Sequence, residues 1–234
     1  MLSLNCCKKA HILSINETCI MAKEYRKSII RLGDGEFNLL NNRDIHYQKF
    51  SEDLKNILKI IIDEYISNPD NANYLLCMPG EFFNCNGLKL LKRRVYISSW
   101  AFSRYFFKKN YDKDIIYGNS FLFASGNKKI YEQIWLENKI DKVVFVHNKI
   151  EYAKEFEEEY GIKTEYVLVP PKNAYEVKED ILKNIKTLIN NKEKILVLIS
   201  AGPCAKYLVY KLALEKVWAI DTGHCWDNPL NLRK

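Results

Sequence analysis

Short apolar runs that alternate with helical patterns are the feature that most restricts the fold of this chain. In the second half, KVVFVH (142–147), TEYVLV (164–169) and KILVLIS (194–200) each have the length and composition of a buried strand. The segments between them, EYAKEFEEEYG and AYEVKEDILKNIKTLIN, carry apolar residues at helical spacing. This order predicts an α/β fold, a Rossmann-like and mainly parallel sheet with helices on both faces.

The first half follows the same order with less regular spacing. SIIRL (28–32) and YLLCM (74–78) are predicted strands, and the helical pattern EDLKNILKIIIDEYI lies between them. ISSWAFSRYFFKKN (97–110) predicts a helix whose aromatic side chains pack in the core. No internal repeat, low-complexity tract or linker divides the 234 residues, so we predict a single domain over 1–234.

Composition and charge exclude several classes of protein. Hydrophobic residues make up 47% and charged residues 28%, as in an ordinary globular protein. No apolar run approaches the roughly 20 residues of a membrane span, and no secretory signal is recognisable at the N-terminus, so we expect a cytoplasmic protein. The net charge of +7 suits an anionic partner, either a nucleoside diphosphate or the acidic inner face of a membrane. No Lys/Arg block is dense enough to predict nucleic-acid binding.

The cysteines predict neither a disulfide framework nor a zinc site. There are seven, an odd number, and none forms a C-x-x-C pair, which indicates reduced thiols. Cys6, Cys7 and His11 lack a second ligand pair at the spacing that zinc sites use.

Small, polar and ionisable residues follow four of the predicted strands. In a parallel sheet, ligands bind beyond the carboxyl ends of the strands, where loops and helix N-termini converge. We therefore expect these segments to line one rim of one cleft. They are Gly33-Asp34-Gly35-Glu36, Pro170-Pro171-Lys172-Asn173-Ala174-Tyr175, Ala201-Gly202-Pro203-Cys204 and Asp221-Thr222-Gly223-His224.

The acidic pair Asp34 and Glu36 is the first candidate for chemistry. A bare Asp-Gly is also a hairpin turn signal, so a surface turn is an equal alternative for this dipeptide. In an extended backbone, side chains two residues apart point the same way, and both carboxylates would then face one cation. Two carboxylates suit Mg²⁺ or Mn²⁺ with water and a diphosphate in the open positions. Gly33 and Gly35 would let the ligand approach the backbone, and Arg31 would pair with a phosphate or fix one carboxylate.

Two further strand ends supply candidate ligand-binding groups. Gly202 lies at a strand-to-helix turn with Pro203 at the expected first helical position, which predicts an anion site at the helix N-terminus. Lys206, one turn later, would either add positive charge or extend to water. Asp221 and His224 are candidates for a ligand or an acid/base pair. His147 also ends a strand, but without a neighbouring acid or glycine it ranks second.

With these residues assembled, the chain resembles the GT-D glycosyltransferases, a bacterial family once known only as a domain of unknown function. The resemblance runs from about residue 25 to about 228. It is carried by SIIRLGDGEFNLL, YQKF, SSWAF, YGNSFLF, VPPKNAYE, LISAGPCAKYLVYKLA and AIDTGH.

The resemblance implies a transferase that uses a nucleotide-sugar donor, which we take to be a UDP-sugar. It places a divalent metal, Mn²⁺ or Mg²⁺, on Asp34 and Glu36. It implies a glycan acceptor, lipid-linked or free, in capsule, lipopolysaccharide or glycoprotein synthesis at the inner face of the membrane. The residues we expect at the donor are Arg31, Gly33, Gly35, Asn173, Gly202, Pro203, Cys204 and Lys206, and those we expect to act as the base are Asp221 and His224.

This chain departs from the family pattern in two places. Cys204 stands where a threonine is expected, which removes a hydroxyl near the phosphates. The segment NKIEYAKEF does not reproduce the acidic-glycine and arginine element that usually follows the strand ending at 147. Both departures indicate an altered donor site.

Two other functions remain open from the residues alone. A strand followed by an acidic, glycine-bearing turn also occurs in S-adenosylmethionine-dependent methyltransferases, although GDGE lacks their repeated glycine turn. A non-catalytic module that binds a glycan or a partner enzyme would retain the fold without the chemistry.

Overall fold

The computed structural model describes residues 7, 9–91, 99–189 and 194–231, and its strands form one eight-stranded sheet. Cys6 and the outer residues of two predicted helices, Ile97, Ser98 and Asn190, lie outside this part of the chain. The strands are β1 (Ala10–Ile12), β2 (Ser28–Arg31), β3 (Tyr74–Met78), β4 (Ile115–Asn119), β5 (Lys142–His147), β6 (Lys163–Leu168), β7 (Ile195–Ile199) and β8 (Ala219–Asp221).

The helices of the described residues connect these strands. They are α1 (Ile15–Lys23), α2 (Asp34–Leu40), α3 (Glu52–Ser67), α4 (Gly80–Phe83), α5 (Gly87–Leu90), α6 (Ala101–Asn110), α7 (Lys128–Tyr131), α8 (Gln133–Leu136), α9 (Glu151–Tyr160), α10 (Lys178–Thr187) and α11 (Cys204–Leu214). A 3₁₀ turn, Ala174–Val177, precedes α10.

The sheet order is β1-β4-β3-β2-β8-β7-β5-β6, and every neighbouring pair is parallel. The predicted mainly parallel α/β sheet is confirmed. Parallel strands require crossover connections, and these supply the helices that cover the sheet. Strands β3, β5 and β7 are accordingly buried along their whole length.

The strand order reverses at two places. Strand β2 lies between β3 and β8, and β5 lies between β6 and β7, so the connections on the two sides of each strand diverge. Ligands of open α/β sheets bind beyond the carboxyl ends of such strands, and one cavity spans the ends of β2 and β5.

Helix α2 corrects one prediction from the sequence. Asp34 and Glu36 do not lie on extended backbone, because α2 begins at Asp34 with Gly33 as its N-cap. The backbone N–H of Gly33 donates to Glu36 Oε2 at 2.8 Å, so the glutamate closes the first helical turn on itself. Side chains two residues apart on a helix diverge by about 200°, so the two carboxylates do not share one direction.

Helix α11 is the most deeply buried helix of those that cover the centre of the sheet. It packs against β2 and β8, and nine of its eleven residues are buried. It begins at Cys204 with Pro203 as N-cap, one residue later than predicted. Because α11 is surrounded by the core, any polar residue in its first turns must find partners inside the protein.

No helix in the described residues is long and apolar enough to cross a bilayer.

Candidate functional site

A cavity of about 790 Å³ opens at the carboxyl edge of the sheet. The ends of β2, β5, β6, β7 and β8 all contribute to its wall, as expected for ligand sites in parallel sheets. Nine of the residues predicted for the site line the cavity. They are Arg31, Gly33, Asp34, Gly35, Glu36, Gly202, Pro203, Lys206 and His224. Asp221, Asn173 and Cys204 are not part of the wall.

Lys206 is the centre of a buried charge cluster at the base of the cavity. Its Nζ lies 2.9 Å from Glu36 Oε1 and 3.0 Å from Asp221 Oδ2. The Lys206 side chain is only 6% exposed, so the predicted alternative in which it extends to water is wrong. Burial alone would lower the pKa of Lys206, but the charges of Asp221 and Glu36 outweigh it and hold this pKa above its usual range. The ammonium therefore stays charged.

Asp221 is the second anchor of the cluster and is fully buried. Its carboxylate accepts hydrogen bonds from the backbone N–H of Arg31 at 3.3 Å and of Gly223 at 3.1 Å. The Arg31 guanidinium lies 3.8 Å from Asp221 Oδ1 and donates to the carbonyl of Ser120 at 2.8 Å. Asp221, on β8, thus connects this strand to β2 and α11 beneath the cavity wall. Arg31 stabilises this connection, and one side of its guanidinium remains at the cavity.

Asp34 is the carboxylate that the cluster leaves available. It lines the cavity and has no ion pair with a lysine or arginine of the described residues. Burial raises the pKa of Asp34, a hydrogen bond from Ser99 opposes this, and the nearby Glu36 charge adds to it. A cation at the cavity would relieve this destabilised negative charge.

These residues fit a cation that is shared with a ligand. Within residues 7, 9–91, 99–189 and 194–231 there is no group of three or more His, Cys, Asp or Glu side chains that would enclose a metal. Mg²⁺ and Mn²⁺ do not need such a cage, because they bind through one or two carboxylates, water and substrate phosphates. Asp34 supplies one such carboxylate, while Glu36 is already engaged by Lys206 and the Gly33 amide.

The turn before α11 is fitted closely to a tyrosine. Gly202 has φ +56°, and a Cβ at this position would lie 2.9 Å from the ring of Tyr47. The carbonyl of Gly202 accepts from Lys206 Nζ at 3.2 Å. Cys204, predicted to face the donor, is instead fully buried, and burial raises the pKa of its thiol to about 12.

Asn173 does not line the cavity but binds the loop that carries Tyr47. Its backbone N–H donates to the carbonyl of Tyr47, and its side-chain Oδ1 accepts from the N–H of Lys49, both at 2.9 Å. The buried Gln48 side chain accepts from the N–H of Tyr175 at 3.2 Å. The segment after β6 therefore fixes the position of Tyr47 against Gly202.

His224 lies at the open side of the cavity, with 62% of its side chain exposed. Its Nδ1 is 3.3 Å from Asp227 Oδ1, and the ring makes an edge contact with Tyr47. No residue that the structure describes bonds to the other ring nitrogen. An imidazole oriented by a carboxylate, with one nitrogen available, is the arrangement of a general base.

Several cavity residues were missed by the analysis of the sequence. Trp100 was assigned to the core, and Tyr47, Phe121 and Asp227 received no role. Trp100 stacks on Phe82 at 4.7 Å between ring centroids, so it does pack in the core while its edge reaches the cavity. The YQKF segment is one of those that carry the family resemblance, but the sequence does not show that Tyr47 lies in the cavity wall against Gly202.

Fold and cavity together define a Rossmann-like α/β protein with one cleft at the carboxyl edge of a parallel sheet. A model of the family described as "Glycosyltransferase GT-D fold" matches residues 29–228. The chain belongs to this family, which implies a sugar donor and an acceptor.

Similarity to individual proteins agrees with this assignment. Glycosyltransferase GlyD of Streptococcus pneumoniae is 24% identical over 91% of this chain, and Gly of Streptococcus gordonii, a probable glycosyl transferase, is 24% identical over 93%. This chain spans only 26% and 32% of the lengths of those relatives. The structure of a glycosyltransferase (DUF1792) from Streptococcus sanguinis matches with a TM-score of 0.73 and 24% identity, over 93% of this chain and 82% of that one, which shows the shared fold.

Replacing Lys206 by methionine should lower the free energy of unfolding by about 3–5 kcal/mol, because it leaves Glu36 and Asp221 buried without a counter-charge. Urea unfolding measures this. The matched control is Lys194→Met, which removes an exposed partner of Asp141 and should change stability by less than about 1 kcal/mol. Similar losses in the two variants would show that the buried cluster is not a special determinant of stability.

Replacing Gly223 by alanine should disturb the arginine as well as the backbone. Gly223 has φ +54°, and a Cβ there would lie 1.6 Å from Arg31 Nη2. Gly161 has φ +64°, and a Cβ added there would have no described atom within 4 Å. Gly161→Ala therefore isolates the backbone strain of about 1–2 kcal/mol. Gly223→Ala should cost about 1–3 kcal/mol more in urea unfolding. Equal losses would mean that Arg31 moves aside without cost.

Proposed function

We propose that this protein is a metal-dependent glycosyltransferase that moves a hexosyl group from a nucleotide-sugar, a UDP-sugar in the first instance, to a glycan acceptor. The observation that carries the proposal is the position of Asp34 in the cavity wall of a GT-D family member. The cations Arg31 and Lys206 line the same cavity, and no lysine or arginine of the described residues forms an ion pair with Asp34. A carboxylate together with basic side chains suits a metal-bound diphosphate, since the metal needs a carboxylate ligand and the phosphates need positive charge.

Asp34 is the residue that would hold the cation, and Glu36 supports it by fixing the first turn of α2. A divalent cation bound there would supply a Lewis acid that offsets the charge of the departing nucleoside diphosphate. Arg31 lies at the same wall and would bind a phosphate oxygen while its guanidinium remains braced by Asp221 and Ser120.

His224 is the better of the two predicted bases. Asp221 is fully buried, is paired with Lys206 and lies outside the cavity wall. His224 lines the cavity, is oriented by Asp227 and is open to solvent, so it can take a proton from an acceptor hydroxyl and release it. The role of Asp221 is then to hold Arg31, Lys206 and Gly223 in place.

The wall formed by Tyr47, Trp100, Phe121 and Phe123 would contact the sugars. Aromatic faces pack against the apolar faces of sugar rings, while the Tyr47 hydroxyl is a hydrogen-bond donor. Burial raises the pKa of Tyr47 to about 12, with the charge of Glu36 adding to the effect, so the hydroxyl keeps its proton at neutral pH.

The acceptor we propose is a growing glycan of the cell surface, either lipid-linked or attached to protein, as in capsule, lipopolysaccharide or glycoprotein synthesis. The net charge of +7 would favour peripheral association with an anionic membrane where a lipid-linked acceptor is located. The reaction would then take place at the cytoplasmic face of that membrane.

The decisive experiment measures nucleoside diphosphate released from a panel of nucleotide-sugars, with and without Mn²⁺. Asp34→Asn should reduce the released product at least about 100-fold, since several kcal/mol of charge stabilisation disappear. Its free energy of unfolding should stay equal or rise. Burial raises the pKa of Asp34, which means that the ionised carboxylate destabilises the folded state, and asparagine removes that charge.

Glu158→Gln is the matched control, because Glu158 is a solvent-exposed acid on α9 away from the cavity. Near wild-type transfer by Asp34→Asn would refute the metal assignment. Binding of S-adenosylhomocysteine without metal would support a methyltransferase instead, and binding of no nucleotide at all would support a non-catalytic module.

His224→Ala should lower kcat by about 10²–10⁴ while the Kd for the donor changes little, because a general base acts in the transfer step. Asp227→Asn should show a smaller loss in the same direction. His11→Ala, which removes an exposed histidine paired with Asp114, is the control. If His224→Ala instead weakens donor binding and leaves kcat unchanged, His224 is a binding residue.

A further inference from the structure

His147 is a buried histidine of the cavity wall that none of the proposed steps uses. It ends β5, is only 4% exposed and lines the cavity. The ring is held by an edge contact with Tyr152 at 4.9 Å and a tilted contact with Phe145 at 6.2 Å between centroids. Its orientation is therefore fixed by packing on two sides.

The hydrogen bonding of His147 defines which nitrogen carries the proton. Nδ1 accepts from the backbone N–H of Lys149 at 3.0 Å, so the proton of the neutral ring is on Nε2. Burial lowers the pKa of His147, so the ring is neutral at physiological pH. Within the described residues no protein atom accepts a hydrogen bond from Nε2, and Nε2 is not among the buried atoms sealed without a partner. The remaining direction for this N–H is the cavity.

His147 lies between charged and uncharged groups. The charges of Asp227, Lys149 and His224 act on the ring, while other wall residues at the ends of β5 and β6 are Asn148, Val169, Pro170 and Pro171. These side chains are uncharged, and the valine and prolines present flat apolar surfaces. A fixed donor beside flat apolar walls matches a heteroaromatic ring whose edge carries acceptor atoms.

The distance between His147 and the charged groups Arg31 and Asp34 also suits a nucleotide. In the sheet, β8 and β7 lie between β2 and β5. At about 4.8 Å between neighbouring strands, the ends of β2 and β5 are about 14 Å apart. A ligand with its phosphates near Arg31 and Asp34 must extend across the sheet to reach His147, which an elongated nucleotide does.

We propose that His147 selects the nucleobase of the donor, with its Nε2–H donating a hydrogen bond to an acceptor atom on the base edge. The proposal rests on the proposed function and assigns the β5 end of the cavity to the base. The diphosphate then lies near Arg31 and Asp34, the donor sugar lies at the aromatic wall of Trp100 and Phe121, and the acceptor hydroxyl lies within reach of His224.

The test compares the binding of UDP, CDP, ADP and GDP in the presence of Mn²⁺ by titration calorimetry. Wild-type protein should prefer one base. His147→Phe, which retains a ring of similar shape without the donor, should weaken binding of the preferred nucleotide about tenfold and bring the four affinities closer together, since one hydrogen bond to a neutral group is lost. His147→Gln, whose amide can place a donor near Nε2, should recover part of the preference.

Asp34→Asn is the matched control, because it should weaken all four nucleotides by a similar factor and keep their ratios. Unfolding in urea checks that the His147 variants are folded. Unchanged affinity ratios in His147→Phe, or a wild-type protein that binds all four bases equally, would overturn the assignment of His147 while the proposed function stands. Failure of all four nucleotides to bind would overturn both.

Discussion

The contact between Lys206 and the carboxylates of Glu36 and Asp221 is the interaction on which the arrangement of the site depends. The three residues lie on α11, α2 and β8, and the backbone N–H groups of Arg31 and Gly223 bond to the same Asp221 carboxylate. A buried ammonium with two acids at 2.9 and 3.0 Å permits few alternative positions of these elements. The direction of α2 and the exposure of Asp34 to the cavity follow from it.

The two ends of the cavity differ in how they are built. At the β2 and β8 end, charged groups are paired below the wall, so the wall itself presents Arg31 and Asp34. At the β5 end, the neutral His147 and Asn148 lie with the apolar side chains that follow β6, and the nearest charges are those of Asp227, Lys149 and His224. Because both ends lie at points where the strand order reverses, the topology of the sheet places two chemically distinct surfaces beside each other.

The sheet could be predicted from the sequence because buried parallel strands are continuous apolar runs, and β5 matches KVVFVH residue for residue. The rim of the cleft could also be predicted, because ligands bind beyond the carboxyl ends of parallel strands. The conformation of Asp34 and Glu36 could not be predicted, since the partner that stabilises it, Lys206, is 170 positions away from Glu36 in the chain. The same reason applies to Tyr47, whose position depends on Asn173 and Gly202. Local patterns do not contain such distant contacts.

The buried cluster is electrically balanced. Glu36 and Asp221 contribute two negative charges, and Lys206 and Arg31 contribute two positive charges. Asp34 stands outside this balance and adds a negative charge to the wall. A substitution that removes the charge of one of the four clustered residues therefore leaves the cluster with a net charge until a second substitution removes a charge of the opposite sign, whereas we expect a neutral residue at position 34 to leave the fold unchanged.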